Sequence, residues 1–121
     1  LVVDDEELVR STAEGILSEC GYQIITAKDG FDALEKYEQT PRIDCVLLDM
    51  AMPKMSGKQT FEKLKALDPN VKVLLNSGFY EDARIHETLK MGALGFIPKP
   101  YSMFELAQEI KRIIKGEKDK S

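Results

Sequence analysis

The sequence predicts an α/β fold in which a five-stranded parallel sheet carries helices on both faces. Five short apolar runs alternate strictly with amphipathic segments. The runs are partly continuous, which is typical of strands buried on both faces. Each segment between two runs is then a right-handed helical crossover. The apolar runs span residues 1–3, 22–26, 43–48, 71–75 and 94–97.

The first two helices are predicted from their apolar stripes and their boundary residues. A stripe from Val9 to Cys20 has the spacing of one helical face, and Gly21 ends this helix. Asp29 is a suitable N-cap for the second helix. We expect the second helix to bury Phe31 and to end before Pro41.

Boundary residues also define the other three helices. Capping-box sequences begin at Ser56 and at Ser102, which places the third and fifth helices after them. The fourth helix is expected over residues 81–91, with Gly92 as its C-cap. The fifth helix carries an apolar stripe that starts at Met103 and is expected to face the core.

The composition is that of one globular domain of 121 residues. Hydrophobic residues make up 43% and charged residues 31%, which excludes a disordered chain. The net charge of −4 argues against direct binding of nucleic acid. No apolar run is long enough for membrane insertion, and no export signal is visible. A cytoplasmic setting is therefore expected, with Cys20 and Cys45 as small buried hydrophobes.

Polar side chains follow four of the five predicted strands. Asp4 and Asp5 follow the first strand, and Asp49 follows the third. Ser77 follows the fourth strand, and Lys99 follows the fifth. Because ligands of open α/β sheets bind beyond the carboxyl ends of the strands, we expect these five side chains to form one site.

The chemistry of this site follows from its charges. Two carboxylates about 4 Å apart repel each other by about 4 kcal/mol at an effective dielectric near 20. Lys99 neutralises one of the three negative charges, so a bound cation is needed to offset the remaining two. Oxygen ligands without His or Cys select Mg²⁺ or Mn²⁺. A metal, a lysine and a hydroxyl around Asp49 suit a transferring phosphoryl group, with this aspartate as the nucleophile.

With these motifs in order, the chain resembles the receiver domain of two-component response regulators over essentially its whole length. The resemblance implies a flavodoxin-like three-layer fold with strand order 2-1-3-4-5. It assigns residues 1–116 to the receiver domain, with a shortened first strand, and residues 117–121 to a frayed tail. The matching motifs are the acidic pair Asp4-Asp5, the acceptor Asp49 with Met52-Pro53 and Gly57, the hydroxyl residue Ser77, and Lys99 before Pro100.

The resemblance implies a Mg²⁺-dependent phosphoacceptor. A histidine kinase or a histidine phosphotransfer domain would donate its phosphoryl group to Asp49. The metal, Mg²⁺ or Mn²⁺, would be held by Asp5, Asp49 and the backbone carbonyl of Ala51, with Asp4 acting mainly through metal-bound water. Such a domain catalyses its own phosphorylation and dephosphorylation and is not a turnover enzyme in isolation.

The resemblance also implies a conformational switch. Lys99 and Ser77 would hold the phosphoryl oxygens, and the inward movement of Ser77 would let Phe96 rotate inward. The surface of the fourth helix, fifth strand and fifth helix would change, and a homodimer could form through it. The bond between Lys99 and Pro100 is expected to be cis.

Two residues near the site depart from a common family pattern. Ala51 replaces a frequent polar side chain, and Phe79 is bulky and apolar. Both positions influence how water reaches the aspartyl phosphate, so we expect slow self-dephosphorylation. The sequence around Asp49 and Ser77 resembles receivers attached to hybrid sensor histidine kinases, and the chain is expected to be an excised module.

Two other functions are compatible with parts of this pattern. An aspartyl-phosphate phosphohydrolase also has an aspartate nucleophile at a strand end, but it typically has Asp-x-Asp after the first strand and a cap domain. A degenerate receiver that acts only as a binding module typically lacks the acceptor, the lysine or the acidic pair. All of these groups are present here.

Overall fold

A computed structural model of the chain describes residues 1–78 and 83–116. Strands and helices alternate throughout these ranges. None of the described helices is both long and apolar enough to cross a membrane. The elements are β1 (Val2–Val3), α1 (Glu7–Glu19), β2 (Thr26–Ala27), α2 (Gly30–Gln39), β3 (Val46–Asp49), α3 (Gly57–Leu67), β4 (Val73–Ser77), α4 (Ala83–Lys90), β5 (Gly95–Pro98) and α5 (Met103–Lys115).

The five strands form one parallel sheet in the order β2-β1-β3-β4-β5. This order confirms the predicted fold class. In the central pairing, Asp49 stands opposite Asn76, which in turn stands opposite Ile97. Val3 pairs with Leu48, so Asp4 comes level with Asp49 at the carboxyl end of the sheet.

The sheet separates two hydrophobic cores. One core contains buried residues of α2, α3 and α4, and we call this side the α2–α4 face. The other contains buried residues of α1 and α5, and we call it the α1–α5 face. Val2 and Leu47 belong to the α1–α5 face, whereas Val3, Leu48 and Leu75 belong to the α2–α4 face. This division follows the alternation of side chains along a strand.

The predicted helix caps are confirmed. The Asp29 side chain accepts a hydrogen bond from the backbone N–H of Asp32, at 2.8 Å. Complete capping boxes open α3 at Ser56 and α5 at Ser102. Gly92 follows α4 with a φ of 117°, a conformation that favours glycine.

Three burial predictions are wrong. Phe31 is 59% exposed and Met103 is 56% exposed. Both lie in the first turn of a helix, beyond the carboxyl end of the preceding strand, where the sheet no longer lies beneath the helix. Cys20 is also exposed, because it follows the last turn of α1. Cys45 is buried as predicted, and burial raises the pKa of its thiol to about 11.

The strands also begin later than their apolar runs. The edge strand β2 has two residues rather than the five of residues 22–26, because its single neighbour β1 offers two residues for pairing. β3 and β4 continue past their apolar runs to Asp49 and Ser77. The predictions for Phe79, for residues 81–82 of the fourth helix and for the tail fall outside the described residues.

Gly57 allows a close approach between the start of α3 and the end of β3. A Cβ atom here would lie 2.5 Å from the Met50 Cα atom and 2.6 Å from the Asp49 carbonyl oxygen. Both are backbone atoms, so a side-chain rotation cannot relieve the clash. The backbone N–H of Gly57 donates to the Met50 carbonyl at 3.3 Å, which closes the loop between β3 and α3.

We predict that Gly57→Ala lowers the free energy of unfolding by about 1–3 kcal/mol, because a methyl group is forced into filled space. The control is Gly15→Ala in α1, where nothing lies within 4 Å of the added Cβ atom. This change is expected to stabilise the domain by about 0.5–1 kcal/mol, the helix preference for Ala over Gly. Urea denaturation measures the free energy of unfolding of both variants. Equal effects of the two substitutions would contradict the packing argument.

Candidate functional site

The strand ends bring two buried carboxylates to one lysine. Lys99 Nζ lies 2.9 Å from Asp4 Oδ2 and 3.4 Å from Asp49 Oδ1. Asp4 is 1% exposed and Asp49 is 2% exposed, whereas the Lys99 side chain is 20% exposed. The peptide bond between Lys99 and Pro100 is cis, as predicted. One ammonium group therefore faces two negative charges.

Backbone groups fix both carboxylates. The N–H of Glu6 donates to Asp4 Oδ1 at 2.9 Å, and the N–H of Ala51 donates to Asp49 Oδ1 at 3.2 Å. Arg10 Nη1 donates to the backbone carbonyl of Asp4 at 2.7 Å. Arg10 was not among the predicted site residues, although its place in the first turns of α1 puts it within reach of the β1 end.

Asp5 completes a cluster of three carboxylates. One oxygen each of Asp4, Asp5 and Asp49 lies within 4.8 Å of the other two. Asp5 is exposed, so the cluster is open to solvent on that side. The donor set is all oxygen, and Lys99 leaves it with a net charge of −2. These residues fit a hard divalent cation that keeps part of its water shell.

Ser77 and Lys99 are joined through the backbone. The Lys99 N–H donates to the Ser77 carbonyl at 2.9 Å, which ties the ends of β4 and β5 together. Ser77 is buried at the end of β4, and its strand alternation places it on the α2–α4 face. Phe96 is half-buried and packs against the core of the same face. The predicted switch residues therefore share one side of the sheet.

The charges of the site shift two pKa values. Burial and the charge of Asp4 raise the pKa of Asp49 to about 6, despite the opposing effect of Lys99. Burial alone lowers the pKa of Lys99, but the hydrogen bond to Asp4 and the charges of both aspartates outweigh it and raise that pKa. Lys99 therefore stays an ammonium, and Asp49 is a carboxylate at neutral pH only at a cost in stability.

We predict that Asp49→Asn stabilises the metal-free domain at pH 7.5 by about 1–3 kcal/mol, because asparagine removes a charge that burial and Asp4 disfavour. This range follows from the raised pKa, since each unit of pKa shift corresponds to about 1.4 kcal/mol. The folded pKa lies above the unfolded value of 3.8, so the folded state binds more protons between pH 3.8 and 6. The free-energy cost of keeping Asp49 ionised in the folded state therefore grows as pH rises through this window. Most of the gain from the substitution is therefore lost near pH 4.

Urea denaturation in EDTA at the two pH values measures this difference. The control is Asp44→Asn, because Asp44 is exposed and pairs with Arg42 at 3.1 Å on the surface. Its effect is expected to stay below about 1 kcal/mol at both pH values. A destabilised Asp49→Asn variant at pH 7.5 would show that the carboxylate is not strained in the metal-free site.

The chain matches proteins of known family. The response regulator receiver domain family matches residues 1–111. The Chemotaxis protein CheY of Treponema pallidum is 36% identical over 117 residues, which cover 95% of this chain and 81% of the relative. The Sensor kinase CckA of Brucella abortus is 34% identical over 115 residues, which cover 94% of this chain and 12% of that kinase.

Solved structures agree with these matches. The crystal structure of a CheX–CheY–BeF3–Mg²⁺ complex from Borrelia burgdorferi superposes with a TM-score of 0.88 and 32% identity, over 93% of this chain and 85% of that chain. Receiver domains as a family generally bind Mg²⁺ and interact with kinases or phosphotransfer partners. Neither the phosphohydrolase nor the degenerate receiver is favoured. The chain belongs to the response regulator receiver domain family and is a receiver domain of two-component phosphorelay signalling.

Proposed function

We propose that Asp49 is the phosphoacceptor of this domain. The observation that supports it best is the shared ion pair, in which Lys99 faces both Asp4 and Asp49 at the open end of the sheet. Two buried carboxylates that share one ammonium group favour a further cation, and that cation together with Lys99 could hold the anionic oxygens of a phosphoryl group. Asp5 extends the same cluster toward solvent, where a donor could approach.

The reaction is a phosphoryl transfer from a phosphohistidine of a histidine kinase or a histidine phosphotransfer domain. A carboxylate oxygen of Asp49 forms a bond to phosphorus in line with the leaving group. The phosphorus–nitrogen bond breaks, and its electron pair returns to the imidazole. Because Oδ1 accepts the Ala51 N–H and faces Lys99, we assign the attack to Oδ2.

The metal would be Mg²⁺, or Mn²⁺ in its place. We assign it to Asp5, Asp49 and the backbone carbonyl of Ala51, with Asp4 acting through metal-bound water. When bound, this ion neutralises charge on the phosphoryl oxygens. The carboxylate cluster within 4.8 Å and its all-oxygen chemistry support the assignment.

Lys99 and Ser77 would hold the oxygens of the phosphorylated Asp49. The backbone bond between them couples any movement of the Ser77 loop to the end of β5. Phe96 lies two residues before the β5 end on the same face as Ser77, so it is placed to follow that movement. The surface of α4, β5 and α5 is then the output, and we assign to it the docking of partners or of a second copy.

We place this reaction in the cytoplasm, which agrees with two cysteines that are not disulfide-bonded. The match to CckA over a small part of that kinase supports a parent chain of the hybrid sensor kinase type. Such a domain acts once per phosphoryl group that it receives. It catalyses its own phosphorylation and dephosphorylation, and in isolation it is not a turnover enzyme.

We predict that the chain forms one adduct of a single phosphoryl group, an acyl phosphate, with acetyl phosphate and Mg²⁺, because the Asp49 carboxylate attacks this small donor. Intact mass spectrometry measures the adduct. Asp49→Asn abolishes it, whereas Asp44→Asn, at an exposed aspartate that precedes β3, leaves it unchanged. An adduct that survives Asp49→Asn, or none with the unmodified chain, would rule out this acceptor.

We also predict that phosphorylated Asp49 decays slowly, with a half-life of minutes or longer in Mg²⁺. Ala51 is exposed beside the acceptor and has no polar side chain that could orient the attacking water. Loss of the adduct after removal of acetyl phosphate gives the rate. Ala51→Asn restores a polar group at this position and is expected to accelerate the decay, whereas a half-life of seconds in the unmodified chain would contradict the argument.

A further inference from the structure

Arg10 contacts the edge of the carboxylate cluster in a way that helix formation does not explain. Val2 and Leu47 belong to the α1–α5 face, and strand alternation puts Asp4 and Asp49, two residues further along, on the same face. Arg10 is the fourth residue of α1, and its Nη1 donates to the Asp4 carbonyl at 2.7 Å. A cation near the N-terminus of a helix opposes the helix dipole. The value of this arginine must therefore come from its contact with β1.

The carbonyl that accepts this bond lies where the pairing of β1 with β2 ends. The N–H of Asp4 donates to the Ala27 carbonyl at 3.1 Å, and Ala27 is the last residue of β2. The neighbouring chain then turns into α2 at Gly30, so β2 offers no further strand residue to the Asp4 carbonyl. Arg10 supplies the donor at this point.

The same peptide group determines where the third carboxylate lies. The Asp4 carbonyl belongs to the peptide bond between Asp4 and Asp5, so a rotation of this peptide moves the Asp5 side chain. The exposed Asp5 carboxylate has no hydrogen bond or ion pair with residues 1–78 and 83–116. Its position within 4.8 Å of the other two carboxylates therefore depends on the backbone that carries it. Arg10 holds that backbone from one side, and the bond from the Glu6 N–H to Asp4 Oδ1, at 2.9 Å, holds it from the other.

We propose that Arg10 is a positioning residue for the divalent metal, because its bond to the Asp4–Asp5 peptide keeps the Asp5 carboxylate beside Asp49. This inference rests on the proposed function, since it needs the metal to be bound by Asp5 and Asp49. Groups that orient metal ligands typically change metal affinity by about 10- to 100-fold when they are removed. We expect the lower end of this range, because Arg10 acts on one of the ligands only.

The charge of Arg10 acts in the opposite direction. A guanidinium group repels a metal cation, so its removal would strengthen metal binding if charge determined the outcome. Removal of a group that positions a ligand weakens metal binding instead. The direction of the change in affinity therefore distinguishes the two effects.

The first test measures the affinity of Arg10→Met for Mg²⁺ without a phosphoryl donor, from the chemical shifts of backbone amides during a titration. We expect binding about 10-fold weaker than in the unmodified chain. The control is Arg112→Met, which removes the same kind of bond at the opposite end of the sheet, where Arg112 Nη2 donates to the Leu94 carbonyl at 3.0 Å. Its affinity should be unchanged. Equal or tighter binding by a folded Arg10→Met variant would overturn the proposal.

A double-mutant cycle with Asp5→Asn tests whether Arg10 acts through Asp5. When Asp5 is already replaced, Arg10→Met should weaken Mg²⁺ binding by no more than about 2-fold, because the ligand that it positions is gone. A general effect on the fold would be the same with and without the Asp5 carboxylate. Equal effects of Arg10→Met in the two backgrounds would therefore overturn the positioning role.

A further measurement needs no substitution. A guanidinium group held by a hydrogen bond rotates slowly, so the two Nη groups of Arg10 should give separate NMR signals in the Mg²⁺-bound chain. Averaged signals in a chain that binds Mg²⁺ would overturn the role of Arg10 and leave the metal assignment intact. A chain that binds no Mg²⁺ would overturn the metal assignment and the role of Arg10 together.

Discussion

The rest of this domain depends on one lysine ammonium that is shared by two buried carboxylates. The structure holds Asp4 and Asp49 almost completely away from solvent, and within residues 1–78 and 83–116 Lys99 alone forms ion pairs with their carboxylates. Such an arrangement is unfavourable in isolation, because burial and like charge both act against the ionised form of Asp49. The site is therefore most stable when it holds added positive charge. Binding of the proposed metal would therefore relieve an electrostatic repulsion that is already present in the folded chain.

The fold keeps this strain in place through short backbone connections. The N–H groups of Glu6 and Ala51 each hold one carboxylate oxygen, and the N–H of Lys99 is bound to the neighbouring strand end. Behind them, the loop between β3 and α3 closes tightly on Gly57, where a larger residue would meet backbone atoms. The carboxylates cannot move apart to relieve their repulsion, because the elements that carry them are packed from both faces.

The sequence was sufficient for the fold class and for the main side chains of the site. Regular alternation determines a parallel sheet, and the polar residues at the strand ends could be identified without coordinates. It was not sufficient for the burial of Phe31 and Met103, because helical periodicity does not show where the sheet ends beneath a helix. Arg10 was missed because it belongs to no motif. It contacts the site through the backbone carbonyl of Asp4, and this contact depends on the three-dimensional fold.

The alternation of side chains along the strands has a wider consequence. Asp4 and Asp49 belong to the α1–α5 side of the sheet, whereas Ser77 and Phe96 belong to the α2–α4 side. In the proposed function the sheet therefore separates the acidic residues around the phosphoryl group from Ser77 and Phe96, and the two sets meet only at the strand ends. Because α5 packs on the acidic side and α4 on the other, the proposed output surface of α4, β5 and α5 spans both faces of the sheet. A partner on that surface would contact both faces at once, so a substitution in either core could change how it binds.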